Sequence, residues 1–222
     1  MNRLTLILAF SLAACGGSLK YNIDDNTVAS ATNEERAPIN AIRDERNRTE
    51  DELRSAKSLQ QTAESDLSLA ENEYKSAKLA KDSAKVNRQA GEQSGDFNRK
   101  NKAERDYTAA DKAQDAADAK VTWLEKKVKY AKLQREAAEA HMAQVNARIE
   151  LEKARLCQSK GIRPSEKFDI NNYQQQSTET EQKFNEARRK ADDKKADVDD
   201  RERRYMTAKQ AADTAKANAG GS

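Results

Sequence analysis

The sequence predicts an all-α protein, an elongated, up-down-up antiparallel three-helix coiled coil. Three observations carry that expectation. Ala, Glu, Lys, Leu and Arg supply 112 of 222 residues, a share typical of long helices and coiled coils. The chain holds only 2 Pro and 7 Gly, so long stretches lack a helix breaker. Apolar and small residues recur at alternating spacings of three and four over three long segments. Leu, Ile, Val and Phe make up just 31 residues, low enough to raise disorder, but a net charge of +3 lacks the one-sided excess of such chains. Alanine seams bury little area per residue, so a thin body without an interior cavity is expected.

Residues 1–14 read as a leader. Met1-Asn2-Arg3 gives a positive start, and Leu4 to Leu12 is apolar but too short to span a bilayer. The run ends Leu12-Ala13-Ala14-Cys15, followed by Gly16-Gly17-Ser18. This order of charge, apolar run, small residues and cysteine resembles the lipobox of bacterial lipoproteins. The resemblance is confined to the leader and Cys15. It implies that residues 1–14 are removed and that Cys15 becomes the N-terminus, carrying diacylglycerol and often a further acyl chain such as palmitate. Two or more acyl chains make a stable membrane attachment, whereas one is marginal. Gly16, rather than aspartate, follows the cysteine. By the same resemblance, that implies sorting to the outer membrane, facing the periplasm.

Residues 15–37 are expected to be a flexible acylated tether. The stretch is polar and unpatterned, with Asn22, Asp24, Asp25, Asn26, Ser30, Thr32 and Asn33. Pulled straight, some twenty residues reach about 65 Å. Pro38 suits the first helical position, where its missing N–H costs nothing.

The first helix is expected over 38–89. One heptad position reads Ile39, Arg46, Leu53, Gln60, Leu67, Tyr74, Lys81; the other reads Ile42, Thr49, Ala56, Ala63, Ala70, Ala77, Ala84. Alanines at seven-residue intervals let a neighbouring backbone approach closely. Gly91 and Gly95 then break the pattern. The second helix, over 96–160, carries two apolar lines. One includes Leu124, Val128, Ala131, Val145 and Ile149; the other includes Trp123, Tyr130, Ala147, Leu151 and Ala154. Two lines need two neighbours, which makes this the middle helix. Gly161 supplies a left-handed cap and Pro164 blocks continuation.

The third helix, over 166–218, begins at a cap on Ser165 or Asp169. Its seam of Phe184, Ala187, Ala191, Val198, Tyr205, Ala208, Ala212, Ala215 and Ala219 is interrupted by Lys194 and Arg201. Asn171 to Gln182 is almost wholly polar and reads as a frayed start. The helices thus fill a body over 38–219. Short links make neighbours antiparallel, and helices of fifty to sixty residues run about 75–95 Å.

Composition and motifs argue against several functions. Without its leader the chain has 40 basic and 38 acidic residues, interleaved along solvated faces, so no nucleic acid partner is expected. There is no glycine-rich phosphate loop and no metal-ligand spacing, hence no cofactor or metal. The one histidine, His141, reads as a partly exposed helical residue, and Trp123, Tyr130, Tyr74, Phe184 and Tyr205 read as seam packing. No catalytic residues and no small-molecule substrate are expected, so the chain does not read as an enzyme. Cys157 would be an unpaired thiol, either buried and inert, the favoured reading, or a link to another chain.

The resulting expectation is an envelope protein attached to the membrane through lipid on Cys15, acting as a structural spacer or scaffold through its coiled-coil surface. A protein partner or self-association is implied, above all on the third helix. The chain is similar to the small helical lipoproteins that tie the outer membrane to the cell wall. Those end in a wall-linked lysine; this sequence ends Gly220-Gly221-Ser222, and covalent attachment is not expected. The alternatives are a periplasmic holdase chaperone and a helical adaptor of a secretion or efflux assembly. Against them stand the lack of a strand-forming oligomerisation segment and of flanking β domains.

Overall fold

The structure is a computed structural model that describes residues 19–220. The lipobox and Cys15 lie outside the described residues. Three long helices dominate: α1 (Asn33–Gln93), α2 (Phe97–Ser159) and α3 (Ile170–Gly220). They pack as an all-α three-helix bundle, with no strand among the described residues.

Each helix stops where its backbone groups find other partners. Thr32 and Glu35 form a capping box ahead of α1: the Thr32 N–H donates to the Glu35 carboxylate at 2.7 Å, and the Glu35 N–H donates to Thr32 Oγ1 at 3.3 Å. The helix therefore begins at Asn33, five residues earlier than Pro38 suggested, and Pro38 is accommodated inside it. At the other end α1 runs past 89 to Gln93, and Gly95 takes the left-handed conformation at φ 71°. Asp96 caps α2, its Oδ1 accepting from Asn98 N–H at 2.8 Å. The C-terminus of α2 is a Schellman motif: Ile162 N–H donates to Cys157 O at 2.8 Å and Gly161 N–H to Gln158 O at 3.2 Å, with Gly161 at φ 67°. Of the two candidate caps for α3, Asp169 is the one used, accepting from Asn171 N–H at 2.9 Å.

Packing divides the chain into two units. The first comprises residues up to Thr49 with Glu139–Lys183; the second comprises Glu50–Ala138 with Phe184–Ser222. In the second unit the alanine line of α1 is closed. Ala63 and Ala70 are 0% exposed, and Ala63 and Leu67 pack on Val128 and Ala131 of α2. Beside this line, ion pairs join α1 to α2: Asp66–Lys127, Glu73–Lys120, Lys81–Asp111 and Arg88–Glu104. In each, the later partner on α1 meets an earlier one on α2, which is the antiparallel order. Lys81, a charge in a seam position, is resolved by Asp111 at 2.6 Å, whose hydrogen bond also raises the lysine pKa.

In the same unit α3 is the loosest helix. Ala191 and Val198 are buried, but no residue of α3 beyond Val198 is. Trp123 of α2 stacks on Tyr205 at 5.4 Å between ring centroids, and beside Tyr205 a groove lined by Ala109, Ala113, Ala116 and Ala212 stays open. Lys194, expected to interrupt the seam, points outward to Asp197, while Arg201 stays partly buried.

The first unit holds the larger correction. Residues 19–37 do not form a flexible tether. Residues 19–32 fold as a strap along α2 and α3, with one 3-10 turn at Asp25–Val28, and the rest belongs to α1. Ile23 and Val28 are 3% and 4% exposed, packed with Leu151, Ala154, Cys157 and Tyr173. Burying two such side chains contributes about 2 kcal/mol each. The start of α3 is not frayed either, because Tyr173 and Gln176 are buried beneath the strap.

Candidate functional site: the clamp beneath the N-terminal strap

Four polar or charged residues are buried among the described ones: Thr49, Glu150, Lys153 and Gln176. Thr49 is satisfied inside its own helix, its hydroxyl donating to Glu45 O at 3.0 Å. The other three converge on the main chain of the strap.

Gln176 serves both backbone groups of Tyr21. Its Oε1 accepts from Tyr21 N–H at 2.9 Å and its Nε2 donates to Tyr21 O at 2.8 Å. Glu150 and Lys153 divide the same task at Ile23. Glu150 Oε2 accepts from the Ile23 N–H at 2.6 Å, and Lys153 Nζ donates to Ile23 O at 3.0 Å. Both main-chain groups of residues 21 and 23 are thus held by side chains of two helices. Lys153 places its remaining donors on Glu150 Oε1 at 2.8 Å and Asp25 Oδ1 at 2.6 Å, so three N–H groups meet three acceptors. Arg43 of α1 also reaches Asp25 Oδ1, at 2.8 Å.

The helix spacing explains the convergence. Glu150 and Lys153 lie three apart on one face of α2. Gln176 stands three residues after Tyr173 on α3, so amide and ring lie on one face. Tyr173 packs between Tyr21 and Phe168, with centroids 5.8 and 5.9 Å away.

The hydrogen bond from Lys153, with the charges of Lys153 and Arg43, holds the Asp25 pKa below its ordinary 3.8. A depressed carboxylate pKa contributes stability that is fully present above the unfolded value and is lost as pH falls through the folded one. Acid is therefore expected to loosen the strap only below pH 3.8. The Ile23 methyl resonances, followed by NMR, should move towards unfolded positions in that window. Asp25→Asn should remove this step and leave a strap already looser at neutral pH.

Cys157 lies under the strap, 0% exposed, and burial pushes its thiol pKa up despite the charge of Lys153. A buried thiol kept protonated is a poor nucleophile, in line with an inert residue. His141 is partly buried on α2. Trp123, Tyr130, Tyr74, Phe184 and Tyr205 are all partly buried, as packed seam residues are. Among the described residues no three His, Cys, Asp or Glu side chains are grouped to hold a metal ion, and no helix is long and apolar enough to cross a membrane. The open grooves lie elsewhere, between α2 and α3 of the second unit. One is lined by Glu104, Thr108, Lys112, Gln210, Ala211 and Thr214.

Sequence reasoning missed the strap and the clamp. The usable signals were Thr32 and Glu35 at capping-box spacing and the apolar Tyr21 and Ile23 at strand spacing. No family model, curated protein or solved structure matches this chain.

Proposed function

We propose that the chain is a lipid-anchored envelope lipoprotein of the outer membrane, facing the periplasm, that acts as a structural spacer or scaffold. The observation that carries the proposal is the order of residues 1–18: a positive start, an apolar run, and Leu12-Ala13-Ala14 before Cys15. The attachment is the acyl group on Cys15, and the helices are the working part, with no chemistry of their own.

The strap changes how such an anchor would act. Tyr21 is already clamped to α3. It follows Cys15 by six positions, a reach of at most about 20 Å. The first unit would then be held close to the bilayer. The second unit carries the Gly91–Asp96 connection and the C-terminal part of α3. Its α3 seam is the poorest, and grooves stay open along α2 and α3 there. A helix that satisfies its neighbours badly is a candidate to pair with another chain. We therefore assign partner contacts to α3 in the second unit.

Crosslinking in intact cells, followed by identification of what is captured, tests this. A cell-wall or envelope-machine protein is expected, captured through α3 of the second unit. Deleting Ser177–Ser222 should leave a membrane-bound chain that has lost that crosslink. Capture of many unfolded outer-membrane proteins would instead indicate a holdase. Crosslinks that survive the deletion and vanish on substitution near Gly161 would overturn the assignment to α3.

A further inference from the structure

We infer that the outward face of α1 in the second unit binds the same face of a second copy of this chain, with the two α1 helices antiparallel. The inference is independent of the lipid on Cys15 and of the partner assigned to α3.

One line of α1 carries it. Lys57, Glu64, Glu71, Lys78, Lys85 and Glu92 follow each other at seven-residue intervals, so they share one side of the helix. All six are exposed, and all lie in the second unit. Read forwards, the signs run plus, minus, minus, plus, plus, minus. Read backwards, every sign is inverted. An antiparallel copy centred between Tyr74 and Lys75 therefore sets Lys57 against Glu92, Glu64 against Lys85 and Glu71 against Lys78, each pair occurring twice about the two-fold axis. Glu64 also accepts from Gln60 at 2.7 Å and meets Lys132 at 3.7 Å, and Glu92 meets Arg88 at 3.9 Å. Both of these ion pairs are long enough to be exchanged or shared.

The same pattern fixes orientation and register. In a parallel pair this line would face the neutral line of Thr62, Leu69, Ser76 and Ser83 on the other helix, and its charges would go unused. A shift of one heptad either way sets Glu71 or Lys78 against its own copy. Single exposed ion pairs contribute little, but here all six agree on one register and oppose its neighbours.

The face between the two lines is unpartnered. Leu69, Leu79 and Val86 lie on it or at its edge and are 60, 67 and 63% exposed. In the antiparallel register Leu79 falls on Ser68 and Leu69 of the other copy, and Val86 on Gln61 and Thr62. Lys75 and Asp82 meet Asn72 and Ser65, so no like charges are brought together. Two copies anchored in one bilayer can pair in this way with α1 lying along it.

The test uses the full chain, extracted in mild detergent from cells that co-express two tagged forms. Ser65→Cys in one and Asp82→Cys in the other should be joined by a short bismaleimide, whereas either form alone should not be joined to itself. The wild-type chain, whose Cys157 is buried, is the control. Lys78→Glu with Lys85→Glu sets like charges together in four of the six contacts. It should weaken self-association at least about tenfold in sedimentation equilibrium. Glu64→Lys with Glu71→Lys should do the same. Mixed, the two variants restore opposite charges at all six contacts and should associate at least as tightly as the wild-type chain. All four positions are exposed, so the helices are kept. Joining of each cysteine form to itself would show a parallel pair and overturn the inference. So would a chain that stays monomeric at high concentration, or charge variants that self-associate as the wild-type chain does. Joining of Ser65→Cys only to a protein other than this chain would overturn the assignment to a second copy.

Discussion

Cys15→Ser is expected to move the protein from the membrane fraction to the soluble envelope fraction. The magnitude follows from acyl-chain energetics. Each buried CH₂ contributes about 0.8 kcal/mol, so losing two or three chains removes essentially the whole attachment. Among the described residues no helix is long and apolar enough to cross a membrane. The readout is fractionation with a salt wash. A variant that still pellets with membranes and resists the wash would contradict the lipid-anchor reading.

Ala70→Glu, in the α1 seam, is expected to destabilise the bundle strongly. Ala70 is 0% exposed, so a glutamate there must push α2 away or bury a carboxylate. Overpacking and an unpaired buried charge together cost about 3 kcal/mol. For a chain of this size that lowers Tm by about 6–12 °C. Ser68→Glu, two residues away on the exposed face, should change Tm by less than about 2 °C. Circular dichroism melts of the two variants decide it. Equal shifts would mean that the alanine line reflects helix propensity and not close packing.

The three helices were legible because their packing is periodic. Ala56, Ala63 and Ala70 are buried where the heptad places them, and the same line continues to Gly91, where an added Cβ would meet Ala103 at 3.1 Å. The cross-helix ion pairs were not legible. Asp111 looks like any solvated acid until the register brings it to Lys81. The strap was lost for a different reason. Its anchors are backbone groups, which every residue carries, and its receivers are Glu150, Lys153 and Gln176, which ordinarily mark a solvated face. A polar stretch such as Asn171–Gln182 then reads as frayed, although Gln176 is held by two hydrogen bonds. Pro38 added to the error: it suits a helix start so well that the capping box at Thr32 was passed over. The motif around Cys15 was the reverse case, plain in the sequence and outside the described residues.

Cys15 as the acylated N-terminus of the working protein is open to a single measurement, the mass of the N-terminal proteolytic peptide from membrane-extracted protein. The expected peptide begins at Cys15 and carries the mass of diacylglycerol, with or without a further acyl chain. An unmodified peptide beginning at Cys15, or one that begins elsewhere, would contradict it.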